Sequence, residues 1–256
     1  MDGLRFAFGT LTVLPARVTR WDRDAARAGM LWAPLAGLVV GLFSAALGGA
    51  FLLLGAGPLL AAVVTAAVPA LLTRGLHLDG LADTADGLGS AKPAEEALAV
   101  MKRSDIGPFG VVVLLFVLLA QVAALHRLYG EGWAHGAVAA ALAATVARLA
   151  LTHASRAGVP AARPEGLGAM VASTVPARSA ALVTGGVLIL CAAAGALFSP
   201  YDAVRHVLAA VAGLGAAALL LRRCVRRFGG VTGDVFGAVE ETAGTVALVA
   251  LTLGAL

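Results

Sequence analysis

The sequence predicts an all-α fold, a polytopic bundle of about seven transmembrane helices with its N-terminus in the cytoplasm. Three observations carry that prediction. Of 256 residues, 60% are hydrophobic and only 13% charged, where a soluble domain is about half apolar and a quarter charged. The mean hydropathy is +0.91. The apolar stretches approach or exceed the roughly 20 residues that span a bilayer as helix. A soluble protein with a very large core fits this length poorly.

Residues 1–15, MDGLRFAFGTLTVLP, lack the basic region, long apolar run and cleavage site of a secretory signal. They read as a short interfacial segment followed by a turn. The apolar segments are 30–50, 55–73, 107–125, 134–152, 179–198, 203–221 and 242–256, the last short for a full crossing. Gly55-Ala-Gly-Pro58 divides the first pair, and Ser199-Pro-Tyr-Asp202 divides the fifth from the sixth. The Ala-rich runs 137–150 and 209–221 suit close helix packing. Cys191 and Cys224 lie in or beside apolar segments and read as small apolar residues, not a disulfide framework.

The connections separate by charge. The N-terminal stretch and the loops 74–106, 153–178 and 222–241 hold sixteen of the nineteen Lys and Arg. Arg127 and Arg205 fall on the opposite side, and Arg148 near the end of a span. Cytoplasmic loops are enriched in Lys and Arg. The whole chain, 1–256, therefore reads as one integral membrane domain with functional cytoplasmic loops 74–106, 153–178 and 222–241. The net charge of +4 orients the protein, and nucleic acid is not needed to explain it.

Chemistry concentrates in those loops. Asp79, Asp83 and Asp86 of LHLDGLADTADG (76–87) stand at i, i+4 and i+7, one face of a helix. Three like charges there repel unless a cation compensates. Hard cations such as Mg²⁺ take carboxylate oxygens and bridge to substrate phosphates. One aspartate alone would read as a solvated loop charge; three in register read as metal ligands. Arg74 and His77 flank them. MKRSDIGPFG (101–110) offers Lys102, Arg103, Ser104 and Asp105, suited to phosphate, although Lys102 alone fits a topogenic anchor equally well. FGGVTGDVFGAVE (228–240) reads as a Gly-rich loop bearing Thr232 and Asp234 and able to present N–H groups to phosphate. Arg163 of ARPEGLG (162–168) is a weaker phosphate partner. Motifs for a serine hydrolase, a zinc protease or a dinucleotide enzyme are absent from the sequence. The residues alone point to metal-assisted transfer at a phosphate or pyrophosphate.

RGLHLDGLADTADG (74–87), MKRSDIGPFG (101–110) and GGVTGDVFGAVEE (229–241), with AFGTLTVLP (7–15) and ARPEGLG (162–168), resemble the cobalamin-5′-phosphate synthase family, adenosylcobinamide-GDP ribazoletransferase. The likeness covers most of the chain in the same order. It implies a multi-pass enzyme of the bacterial inner membrane, among membrane lipid. Such an enzyme joins adenosylcobinamide-GDP to α-ribazole or its 5′-phosphate with release of GMP, and needs Mg²⁺. It leaves a homo-oligomer open. By the resemblance Asp79, Asp83 and Asp86 hold Mg²⁺, Lys102 and Arg103 neutralise the leaving group, and Asp234 completes the metal site or acts as base. Where the family often reads Asp-Ser-Arg, this chain has Arg103-Ser104-Asp105. An extended loop would keep positions i and i+2 on one side, whereas a helix would set them about 200° apart. A CDP-alcohol phosphotransferase-like lipid synthase is the rival enzyme, but Asp83 stands where its Arg would fall. A cation-coupled transporter is the rival of another class; it predicts acidic residues inside the spans, which look nearly free of charge.

Overall fold

The computed structural model describes residues 1–254, with residues 255 and 256 of the last predicted segment outside that range. Eleven helices and no strand occur among the described residues. Six helices are long and apolar enough to cross a membrane, and a seventh crossing results if α3 and α4 are counted together. The protein is a multi-pass helical membrane protein.

Helix α1 (Asp2–Leu11) lies on α2 (Arg23–Leu53). Asp22 caps α2 by accepting from the N–H groups of Asp24 (3.1 Å) and Ala25 (2.9 Å). Helix α3 (Gly57–Leu72) ends where Arg74 (φ 54°) and Gly75 (φ 71°) turn left-handed. The next helix, α4 (Leu76–Gly89), leaves α3 at 88°. With three aspartates in fourteen residues, we read α4 as lying across the end of the bundle, outside the crossing itself. The short α5 (Ala94–Val100) precedes α6 (Pro108–Glu131) and α7 (Trp133–Ala154). A one-turn α8 (Leu167–Val171) leads to α9 (Ala177–Ala196), α10 (Pro200–Phe228) and α11 (Gly233–Thr252).

Helix α7 is the axis of the bundle. Every residue from Ala139 to Thr152 is buried, and α2, α6, α9, α10 and α11 all pack on it. Its small side chains allow this. A Cβ on Gly41 of α2 would come within 2.7 Å of the Ala141 Cα, so the two backbones touch in the manner of membrane helices. The outer helices expose large apolar residues, among them Phe116, Leu182, Ile189 and Leu219. An apolar surface of that kind accords with helices long and apolar enough to cross a membrane.

Three expectations change. The loop 74–106 contains two helices, and α4 is the one that carries the aspartates. The loop 222–241 is almost entirely helix: α10 runs to Phe228, α11 starts at Gly233, and only Gly229–Thr232 separate them. The last crossing thus begins nine residues before 242, with twenty residues, about 30 Å of helix. Asp234, Glu240 and Glu241 lowered the local hydropathy and hid that start. The span interiors also hold more charge than expected, because Arg148 of α7 and Glu240 of α11 are buried together as an ion pair.

Candidate active site

The sequence motifs meet at one end of the bundle. Helix α4 crosses α11 at glycines: a Cβ on Gly80 would lie 2.7 Å from the Asp234 carbonyl oxygen, and one on Gly237 2.8 Å from that of His77. This close approach brings the α4 aspartates beside Asp234. Gly87 packs on Met101 and Phe228, tying the second and third motifs to the first.

The three α4 aspartates share a face but not an environment. Asp79 is exposed, Asp83 half-buried and Asp86 buried. Both oxygens of Asp86 are engaged, accepting from the backbone N–H groups of Gly107 (2.7 Å) and Gly110 (3.0 Å). These are orphan donors at the start of α6, so Asp86 fixes the 101–107 loop to the bundle. Asp83 has no such partner. Burial first, then the charges of Asp79, Asp234 and Asp86, push its carboxyl up to about 7, against a smaller opposing effect of Arg163.

Thr232 caps α11, accepting from the Val235 N–H (3.3 Å) and donating to Asp234 Oδ2 (3.1 Å). Arg163 bridges α5 and α11: Nη2 donates to the Leu98 carbonyl (2.6 Å), and Nη1 lies 3.7 Å from Asp234 Oδ2. The expected Gly-rich cradle is therefore a four-residue turn with a capped helix start.

A cavity of about 820 Å³ opens between α4 and the 103–106 loop. Arg74, Asp79, Asp83, Arg103, Ser104 and Asp105 line it. Residues 102–107 are irregular, and Arg103, Ser104, Asp105 and Ile106 all line the cavity, so Arg103 and Asp105 share it without the alternation of an extended strand. Lys102 is exposed and is not part of the wall. Among the described residues no three His, Cys, Asp or Glu side chains converge closely enough to cage an ion alone. The open donors at the cavity are hard carboxylate oxygens on Asp79 and Asp83, and the guanidinium groups of Arg74 and Arg103 line it too.

Beneath this layer lies a polar group that sequence reasoning missed. Arg148 Nη1 pairs with Glu240 Oε1, and its Nη2 lies 3.5 Å from His77 Nδ1. Glu241 accepts from Gln121 Nε2 (2.8 Å), which also donates to Thr245 (2.9 Å). The available signal was the pair of lone polar residues, Arg148 and Gln121, in otherwise apolar segments.

Residues 3–252 match the family model described as cobalamin-5-phosphate synthase. This chain belongs to the cobalamin-5-phosphate synthase family. Relatives named adenosylcobinamide-GDP ribazoletransferase agree. One from Frankia casuarinae is 44% identical over 97% of this chain and 94% of its own length. One from a Nocardioides species is 43% identical over 97% of both chains, and one from Pseudomonas aeruginosa 38% over 99% and 98%. No solved structure matches. Members of the cobalamin-5-phosphate synthase family are transferases of cobalamin biosynthesis, and the lipid-synthase and transporter alternatives are not favoured.

Proposed function

We propose that this protein joins adenosylcobinamide-GDP to α-ribazole or its 5′-phosphate, releasing GMP, at the cavity bounded by α4 and the 103–106 loop. The observation that carries the reading is the pairing of unpartnered carboxylates, Asp79 and Asp83, with Arg74 and Arg103 around one large polar cavity. A pyrophosphate needs both: cationic side chains for its oxygens and acidic ones for a bound cation.

The donor set fits Mg²⁺ in its usual mode. This ion keeps waters and takes one or two carboxylates plus substrate phosphates, so a complete protein cage is not required. Asp79 and Asp83 would hold it, and it would supply Lewis-acid polarisation of the pyrophosphate. Asp86, its oxygens taken by Gly107 and Gly110, holds the Arg103 loop in place. Arg74 and Arg103 orient the diphosphate and neutralise charge on the departing GMP. Lys102, exposed next to Arg103, adds positive charge nearby. Asp234 accepts the proton of the acceptor hydroxyl, kept in position by Thr232 and Arg163. The acceptor oxygen bonds to the corrinoid-side phosphorus, the bond from that phosphorus to the bridging oxygen breaks, and GMP leaves with the electron pair. The Lys and Arg bias of the connections supports a cytoplasmic location for this end of the bundle, in a bacterial inner membrane.

The test is an assay of the purified protein in detergent with adenosylcobinamide-GDP, α-ribazole and Mg²⁺. Stoichiometric GMP and a cobalamin product are expected. If neither forms, the reading is wrong.

A further inference from the structure

A second cavity adjoins the first. It measures about 140 Å³ and is walled by Leu11, Met30, Leu151, Val171 and Phe236, from five different helices. A single water needs only about 10–15 Å³, so this slot has room for a ring system. Leu76, Asp79 and Leu167 border both cavities, and Asp234 borders the slot. A molecule seated in the slot would therefore emerge beside the carboxylates where the pyrophosphate is opened.

One polar feature inside the slot selects its occupant. His77 lines it and is 3% exposed, yet its Nε2 has no partner in the protein. Arg148 Nη2 faces the other ring nitrogen, Nδ1, at 3.5 Å, closer than Glu240 Oε2 at 3.8 Å. A guanidinium only donates, so with Arg148 as the nearer neighbour we assign the tautomer in which Nδ1 accepts and Nε2 carries the proton. The slot thus offers apolar walls and one N–H donor. Leaving such a donor buried and unpaired is costly, which marks it for a ligand.

We infer that the apolar slot beside Asp79 and Asp234 binds the flat base of the nucleoside acceptor, with His77 Nε2–H donating to the base's free ring nitrogen. The inference rests on the proposed reaction and adds a division of labour to it. The 820 Å³ cavity takes the nucleotide-activated donor, and the slot takes the acceptor. The base of a ribazole is a benzimidazole, two fused rings with apolar faces. One of its nitrogens bears the sugar and the other can only accept. Seated in the slot, its ribose would point toward Asp234.

The test compares α-ribazole with the matching indole riboside, which carries C–H where the free ring nitrogen would be. Equilibrium binding to the full-length protein in detergent is measured without donor. The wild-type protein should prefer α-ribazole about five- to tenfold, the effect of one hydrogen bond. His77→Phe should bind both nucleosides alike. Met30→Phe, which narrows the slot without touching His77, should raise the acceptor KM and leave the adenosylcobinamide-GDP KM unchanged. This second variant keeps the inference testable should His77→Phe fail to fold. GMP release by a wild-type protein that binds both nucleosides equally would overturn the slot assignment alone, as would a Met30→Phe variant with an unchanged acceptor KM. Absence of GMP release would instead overturn the reaction.

Discussion

Asp83 and Glu240 are both partly or fully withdrawn from water at the same end of the bundle, yet the protein treats them in opposite ways. Glu240, buried in α11, is paired with Arg148. Asp83, on α4, has like charges as its main neighbours, and its carboxyl is pushed up to about 7. Asp86, three residues on, resembles Glu240 in kind: its oxygens are satisfied by backbone N–H groups. The difference teaches where to look for a ligand. Glu240 and Asp86 are held by protein donors and tie elements together, whereas Asp83 has none and awaits a cation or a proton.

The contrast can be broken most forcefully on the buried side. Glu240→Ala leaves the Arg148 guanidinium uncompensated and should cost about 3–5 kcal/mol, read as a large fall in thermal unfolding temperature in detergent. Combining it with Arg148→Met should recover most of that loss. If the single variant unfolds like wild type, the pair is not structural.

On the open side the order of effects reverses. Asp83→Asn removes charge from a crowded site, so stability should hold or rise slightly. The kcat for GMP release should fall about 10²–10³-fold, the scale seen when one electrostatic stabiliser of a transition state is removed. Full activity in this variant would remove Asp83 from the metal site.

Proton competition sharpens the same point. A cation binds the ionised carboxylate, and the metal-free group titrates near 7. Mg²⁺ binding, followed by calorimetry, should weaken by up to about tenfold per pH unit below 7 and level off above about 8. Without metal the sign for folding is opposite to that of an ordinary paired carboxylate. The raised group favours the folded state at low pH, and that contribution is lost as pH rises from about 4 to 7. A pH-independent Mg²⁺ affinity would show that Asp83 does not bind the ion.

The smallest effect belongs to Asp86. Asp86→Ala removes acceptors from the start of α6 and should cost about 1 kcal/mol, as for the loss of a helix cap. Because the Arg103 loop loosens, the KM for adenosylcobinamide-GDP should rise more than kcat falls. A loss of kcat as deep as that of Asp83→Asn would place Asp86 on the metal after all.

Much of this was legible in the sequence. The apolar segments located the crossings, though α2 and α10 run seven residues past them at one end, because the length of a crossing is set by bilayer thickness and no neighbour is needed to read it. The start of α11 was not legible, since Asp234, Glu240 and Glu241 depress hydropathy whether they face water or an arginine. The i, i+4, i+7 spacing did place Asp79, Asp83 and Asp86 on one face of α4. It was silent on the burial gradient along that face, which α6 imposes by covering only its far end.

By itself, then, the sequence determined that the chain is a membrane helical bundle, and it located the acidic, basic and glycine-rich motifs of the family. Those are properties of composition and local spacing. Only the tertiary structure decided which carboxylates are committed and which are open, that Arg103 and Asp105 share a wall, and that His77 keeps an unpartnered Nε2 beside an apolar slot. Each of these depends on a partner far away in the chain: Gly107 for Asp86, Arg148 for His77, α11 against α4. Hydrogen bonding and desolvation act through space, and local spacing does not encode them.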